Sequence, residues 1–550
     1  MWFVSLSLVS CFRAPVVPPA PLVPPAASGV GELEATDGPD GVRLAGRTLW
    51  NGAPLTLRYQ PLVRAGDRIG DEVFGQLVSR SGRALEVCEG LDYSGLRLAG
   101  GQPELISHFE CQPGAIYRTA LDASADGTLR ATATRRVDMS AVDGGNFYCA
   151  GAPTRGGTHL ASQEYEADAR KRLPDGTVAD NFEDYNALAA WWDGDLTAAH
   201  PWQYGWVVEV ADRAPPVRRW AMGRFSHELA LPMPDDRTVY LSDDSAEGGA
   251  LYLFQADRPG DYSAGILYAA RWTLGEGARY DLSWRSLGHA TDAAVAAVVA
   301  RRPAFEDVFD VATPDGDRCP DGLALAWTHW GGECLRVKAG LEAPASRVEA
   351  RRAAALAGAT TELEKAEGMA LDAGGSTLYL ALSRYVRGAV VGLRGPGARD
   401  DLQLAPNACG GVWGLVLGEG RAAEGPSGAW VAHTASPLLE GVPADGDRCQ
   451  EDAIANPDNL AWIEGTRILA IGEDGHRHAR NALWFYDVAA GQLSRVLEAP
   501  SGAEVTGLRW TPDVAGHSFL SVAFQHPAPR HADGGGGARS SAGVLGPFPR

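Results

Sequence analysis

The stretch TVYLSDDSAEGGALYLFQAD, residues 238–257, sets two short segments with alternating apolar residues on either side of an Asp- and Gly-rich turn. Val, Tyr, Leu and Phe suit a pleated, half-buried strand, and the Asp and Gly residues between them suit the end of one strand and the start of the next. The pair reads as half of a propeller blade. The same pattern recurs outward along the chain: ILYAARW at 266–272, TLYLALSRY at 377–385, RILAIGEDG at 467–475, ALWFYDVAAGQL at 482–493 and FLSVAFQHP at 519–527. The expected fold is all-β, a six-bladed β-propeller with helical insertions. Roughly 480 ordered residues over six blades give about 80 each, long enough to require insertions. Two insertions read as helix. One is HATDAAVAAVVARRP at 289–303, which stops at Pro303. The other is SRVEARRAAALA at 346–357, opening with a capping box from Ser346 to Glu349 and ending before Gly358.

Composition narrows the partners. The 550 residues carry a formal net charge of −20, with 69 acidic and 49 basic side chains. A field of that sign repels nucleic acid and anionic membranes, so neither is an expected partner. Hard cations prefer oxygen ligands, so part of the acidity can gather around calcium. No Cys or His spacing of the structural-zinc type occurs among the 8 Cys. Cys319 with Cys334, and Cys409 with Cys449, could close loops in an oxidising compartment, although pairing is not legible from spacing. Residues 1–40 read as a signal or transit segment followed by a Pro-rich linker, so export or organellar targeting is expected. The apolar run at 2–12 is too short to span a membrane, and no stable membrane insertion is expected. Residues 41–529 are assigned to the propeller and 530–550, rich in Gly and Ser, to a disordered tail.

Five segments hold candidate chemistry. In NFYCAGAPTRGGTHLASQEYEADAR, 146–170, Glu164 is either a metal ligand at the mouth of a blade or one acid of a solvated turn. GRFSHELALPMPDDRTVYLSDD, 223–244, contains Arg224, Glu228, Asp243 and Asp244, and a hairpin would bring Glu228 near Asp243. Carboxylates that close need a cation or a shared proton. GATTELEKAEGMALD, 358–372, offers Glu367 just before a strand. The segment 455–487 offers Asp458, Asn459, Glu473, Asp474, His476 and His478 as oxygen and nitrogen donors, or as turn and loop residues. Glu504 and His526 flank strands near the end. No P-loop, nucleophile elbow or Ser/His/Asp signature is present.

In this order, CAGAPTRGGTHLASQEYE, GRFSHE with YLSDD, GATTELEKAEG, PDNLAWI with IGEDGHRH, and AEVTG with FQHP resemble the PhoX family of bacterial alkaline phosphatases across roughly residues 75–530. The resemblance implies a six-bladed propeller with calcium and iron at one end of its channel, acting as a monomer on a small phosphorylated substrate. It implies Glu164, Glu228, Glu367 and one of Glu473 or Asp474 as metal ligands, with Asp458 and Asn459 as second choices. It implies Arg224 and Glu228 as catalytic residues, Arg224 as a bidentate phosphate donor. The chain departs from the family pattern T-P-W-G-T-x-L-T-C-E-E: from Thr154 to Glu164 it reads T-R-G-G-T-H-L-A-S-Q-E, placing Ser162 at a cysteine position and Gln163 at a glutamate position. A hydroxyl binds iron more poorly than a thiolate, so Ca2+ is the expected metal and Fe3+ is in doubt. A non-catalytic calcium-binding propeller, and another hydrolase such as a lactonase on the same scaffold, are the alternatives.

Overall fold

Apolar alternation through Thr238–Asp243 and Tyr252–Arg258 gives two antiparallel strands, paired from Thr238 with Gln255 to Leu241 with Tyr252. The computed structural model describes residues 38, 41–46, 48–50, 53–179, 185–395, 397–420, 425–527 and 539–548. The described residues are mostly β, and their sheets share one plan. Six inner strands, Leu91–Ala99, Tyr148–Pro153, His227–Pro232, Ala366–Leu371, Pro457–Trp462 and Glu504–Val514, each begin a sheet that continues outward through antiparallel neighbours. Each inner strand touches the next in chain order, and the last touches the first, so they ring a central channel. We number the sheets one to six by these strands. The third and fourth join at their outer edges, where Tyr280 pairs with Ala435.

The core is divided among the wedges between neighbouring sheets. Trp272 and Trp413 meet edge to face at 5.9 Å between the third and fourth sheets, beside Tyr240, Leu253 and Leu380. Leu469, Ile471 and Trp484 pack with Tyr379 and Val412 between the fourth and fifth. Leu91, Leu105 and Phe109 pack with Phe519 and Val544 between the sixth and first. Each fully buried side chain of this size stabilises the fold by roughly 1.5–3 kcal/mol.

The two ends of the chain close the ring together. Arg43–Leu44 extends the fifth sheet beside Gln492–Glu498. In the sixth, Ser541–Phe548 lies between His517–Gln525 and Tyr59–Arg64. The assignment of 530–550 to a tail therefore fails for Ser541–Phe548, whose Ala542, Val544, Leu545 and Phe548 are buried. The Gly-rich run before it hid a strand that is buried along nearly its whole length. Apart from Gly38, the segment 1–40 lies outside the described residues.

The helices differ in detail from expectation. The first spans Asp292–Val299, capped by the Thr291 hydroxyl, because 289–291 finish the strand Tyr280–Thr291. The second begins at Glu342, well before Ser346, and breaks at Glu349, which separates Glu342–Val348 from Ala350–Leu356. The capping box is absent, since the Ser346 hydroxyl donates to the Ala343 carbonyl instead. Disulfides join Cys88 to Cys111, Cys319 to Cys334 and Cys409 to Cys449, and Cys149 is free and buried. These bonds are consistent with an oxidising compartment. No helix among the described residues is long and apolar enough to cross a membrane.

Removing residues 539–550 strips the sixth sheet of an interior strand with three large apolar side chains. A loss of about 5 kcal/mol is expected by area bookkeeping. Calorimetry of the truncated chain should show a melting temperature lowered by several degrees or no cooperative transition. Unchanged melting would mean that the strand does not close the ring.

Candidate metal centre

Four inner strands lose register at the same level, each with two residues facing one. Cys149 and Ala150 lie opposite Ser162, Glu228 and Leu229 opposite Ser242, Glu367 and Gly368 opposite Ala381, and Asp458 and Asn459 opposite Gly472. In the first sheet Asp92 is skipped between the pairs Leu91–Phe109 and Tyr93–His108. A bulge bends its strand and re-aims a side chain out of the ladder. At every one of these irregularities the re-aimed residue is an acid or a thiol.

The side chains converge. One donor atom each from Cys149, Glu164 and Glu228 lies within 4.8 Å of the others, and so does one each from Glu228, Glu367 and Asp458. Glu228 belongs to both groups. Its Oε2 accepts from the Cys149 thiol at 2.8 Å. Asp92 Oδ2, Glu164 Oε1, Glu228 Oε1 and Asp244 Oδ1 are buried with no hydrogen-bond partner among the described residues. Burying so many acids in one place favours their neutral forms. Burial, then Glu367 and Asp92, pushes Glu228 well above the carboxylate range. Burial, then Asp244 and Glu110, does the same to Glu164, and burial with Glu228 and Glu367 does it to Asp458. Burial with Asp244 lifts Glu367 to about 8, and burial with Asp474 lifts Glu504 to about 7. The Cys149 thiol is pushed up by burial and by Asp92 and Glu164. Orphaned oxygens, a thiol and mutual repulsion are what a cation-binding cage lacks only its cations to resolve, so the donor set fits metal.

A single ammonium reaches the rim. Lys365 Nζ pairs with Asp244 at 2.5 Å and with Glu367 at 3.1 Å. Burial alone would raise Asp244, but Lys365, Glu164 and Arg384 together hold the carboxyl below its ordinary range. The Tyr165 hydroxyl donates to Asp244 at 3.4 Å. Lys365, Asp244, Asp474 and Tyr165 line a cavity of about 290 Å3 beside the cage. On the far side His526 Nδ1 contacts Glu504 Oε1 at 3.2 Å, and that carboxylate raises the imidazole to about 9. Behind the cage His108 Nδ1 donates to the Cys149 carbonyl at 2.6 Å, and its Nε2 meets His159 Nε2 at 2.8 Å.

Of the residues singled out in the sequence, the structure brings together Glu164, Glu228, Glu367 and Asp458, with Asp474 on the adjoining cavity wall. It does not bring Glu473 or Arg224. Glu473 accepts from the Ala455 and Ala482 amides, Trp484 Nε1 and His478 Nδ1, which consumes both oxygens in tying down its own sheet. Arg224 is buried away from the cage, donating to the Tyr204, Ala167 and Val348 carbonyls with Glu349 at 3.8 Å. Gln163 likewise holds backbone, accepting from Gly205 and Trp206. Asn459 Oδ1 accepts from the Gly507 amide. Ser162 sits on the second strand, and a thiol enters from the inner strand as Cys149. Sequence reasoning passed over Cys149, Asp92 and Glu110. A signal was present: an acid or thiol stands second in L-D-Y, Y-C-A, H-E-L, A-E-G and P-D-N, at the start of five inner strands.

The sequence profile of the family described as alkaline phosphatase PhoX matches residues 118–528. No curated protein matches the chain. Among solved structures, Pseudomonas fluorescens PhoX in complex with vanadate, a transition state analogue, is 17% identical with a TM-score of 0.60, covering 95% of this chain and 98% of that one. A gluconolactonase from Xanthomonas campestris is 11% identical with a TM-score of 0.31, covering 92% of this chain and 100% of its own. Kuenenia stuttgartiensis hydrazine synthase is 9% identical with a TM-score of 0.34, covering 83% and 99%.

The raised acids fix the pH dependence of the metal-free protein. Glu367 titrates at about 8 when folded against an ordinary 4.5, so between those values the folded chain binds the extra proton. Stability is then present at low pH and lost as pH rises toward 8. Glu504 adds a loss between 4.5 and about 7, with the same sign. Thermal melting in chelator should fall steadily from pH 5 to pH 8, and added divalent or ferric ions should restore it most at pH 8. A metal-free protein that melts higher at pH 8 than at pH 5 would contradict this.

Proposed function

This chain belongs to the alkaline phosphatase PhoX family, and from that premise we propose that it hydrolyses phosphate esters at the acid- and thiol-lined end of its channel. The observation that carries the reading is the set of buried carboxylate oxygens with no hydrogen-bond partner among the described residues, on Asp92, Glu164, Glu228 and Asp244, around one shared Glu228. We read the six sheets as the six blades of a propeller, with the cage at one end of the central channel.

Two donor sets would hold two kinds of metal. Cys149, Glu164 and Glu228 would hold a transition metal of the iron type, because a thiolate suits a softer ion. Glu228, Glu367 and Asp458 would hold a hard cation of the calcium type on oxygen alone. Asp92, Glu110 and Glu504, close enough to push one another's carboxyls up, would add oxygens, and Asp474 would add one toward the cavity. Bound metal supplies charge against the phosphoryl oxygens and acidifies a coordinated water. The chain's own residues prepare the ground. Glu228 couples the two donor sets, so neither can shift alone. Lys365, fixed between Asp244 and Glu367, brings an ammonium to the rim where phosphoryl oxygens enter. The buried apolar shell keeps bulk water out and strengthens each of these interactions. The three disulfides support export to an oxidising compartment.

Purified metal-loaded protein should turn over p-nitrophenyl phosphate and lose that activity in chelator. Glu228→Gln should lower kcat at least about 100-fold, because it alters both donor sets. Cys149→Ser should cut the transition-metal content found by elemental analysis while calcium remains. Normal turnover by the Glu228→Gln protein would sink the reading.

A further inference from the structure

The cavity of about 290 Å3 beside the cage is more than an entrance. Its lining includes three cationic side chains, Lys365, Arg384 and Arg477, and two carboxylates, Asp244 and Asp474. Lys365 already pairs with Asp244 and Glu367, and Arg477 with Asp447, which leaves Arg384 as the lining cation with no ion pair among the described residues. Arg384 follows the strand Thr377–Leu382, and its Nε is buried with no hydrogen-bond partner among the described residues. An unpartnered buried guanidinium nitrogen is costly unless something enters to accept from it. Arg477 is largely buried and pairs with the exposed Asp447.

The walls are fixed before any ligand arrives. Asn456 Nδ2 donates to the Ser383 carbonyl at 2.8 Å and to the Ala408 carbonyl at 2.9 Å. The Cys449 amide donates to the Arg477 carbonyl at 3.2 Å, and Cys449 is bridged to Cys409, whose carbonyl accepts from the Asn456 amide. A Cβ on Gly475 would lie 2.3 Å from Asn456 Oδ1, so only glycine leaves this corner open.

We propose that this cavity is a subsite for a carboxylate on the leaving group, so that the chain prefers small phosphorylated carboxylic acids to phosphomonoesters with neutral leaving groups. Arg384 is the residue that determines the preference, with Arg477 beside it, and a guanidinium suits a planar carboxylate. A monoanion matches the one lining cation, Arg384, that has no ion pair among the described residues. A second phosphate would set further negative charge against Asp244 and Asp474. The inference rests on the phosphoesterase reading for its substrate, but the side chains that discriminate, Arg384 and Arg477, are not among those placed in the cage.

The test compares 2-phosphoglycolate with ethyl phosphate on the metal-loaded full chain. The kcat/KM ratio should favour phosphoglycolate by roughly tenfold, the scale of one charge-assisted hydrogen bond. Arg384→Gln should bring the ratio to about one, and Arg384→Lys should restore part of it. Arg477→Gln serves as the second variant if Arg384→Gln melts early. Calorimetric binding of phosphonoacetate against ethylphosphonate gives an arm independent of turnover, with the same roughly tenfold expectation. If neither ester is hydrolysed yet phosphonoacetate binds more tightly and Arg384→Gln erases the difference, the subsite stands and the phosphoesterase reading falls. Equal binding of the two phosphonates, or a ratio that Arg384→Gln leaves unchanged, overturns the subsite.

Discussion

The rest of the structure answers to one constraint: acids from several different sheets, and one thiol, are buried at the same level of a channel. An ionised carboxylate taken out of water is costly unless something opposite in charge meets it. Among the described residues the ammonium against the cage is that of Lys365, and Asp244 and Glu367 already occupy it. Everything else about the region follows from holding the remaining oxygens close enough to share cations. The bulges are how the fold does so. A regular inner strand would send alternate side chains into the wedges between sheets, among Trp, Leu and Phe. A two-against-one irregularity turns a single acid into the channel and returns the strand to register within two residues.

That arrangement makes the ring matter more than any single sheet. The cage draws on Asp92 from the first sheet, Cys149 and Glu164 from the second, Glu228 from the third, Glu367 from the fourth and Asp458 from the fifth. A slip of one residue in any inner strand would turn its acid into an apolar wedge and an apolar side chain into the cage. Register is held by the wedges, which are packed with large side chains, and by the pairing of both chain ends in the fifth and sixth sheets. Long-range closure of this kind links residues more than 450 positions apart, as Tyr59–Arg64 with Ser541–Phe548 shows.

The sequence made some of this legible and not the rest. The strands at 238–257, 467–475 and 519–527 were readable because one face of each is apolar and turn residues bound them. Glu164, Glu228, Glu367 and Asp458 were readable only through their order along the chain, since any one alone looks like a turn acid. Glu473 and Arg224 were misread because a buried polar side chain that ties backbone together is, in sequence, indistinguishable from one that meets a ligand. Glu473 even stands beside the acid that does line the cavity. Cys149 is not legible from the spacing inside Thr154–Glu164, where Ser162 stands, because it lies on the preceding strand. What decides the matter is which strand is innermost, and that is a property of the ring.

The backbone records the same demand in another way. Tyr165, Lys365, Asn456 and His526 all take positive φ, between 44° and 49°, a region that costs non-glycine residues free energy. Each is next to or within a few residues of an acid of the cage or its cavity: Tyr165 follows Glu164, Lys365 precedes Glu367, Asn456 precedes Asp458, and His526 contacts Glu504. Strain of about 1–3 kcal/mol per residue persists only where surrounding structure leaves no alternative. Here the alternatives are closed by the bulged strands on one side and by the Tyr165–Asp244 and Lys365–Asp244 contacts on the other. The bulges aim the acids and the left-handed residues turn the chain immediately beside them, so the geometry of the cage is set by the fold itself and does not wait on its ions.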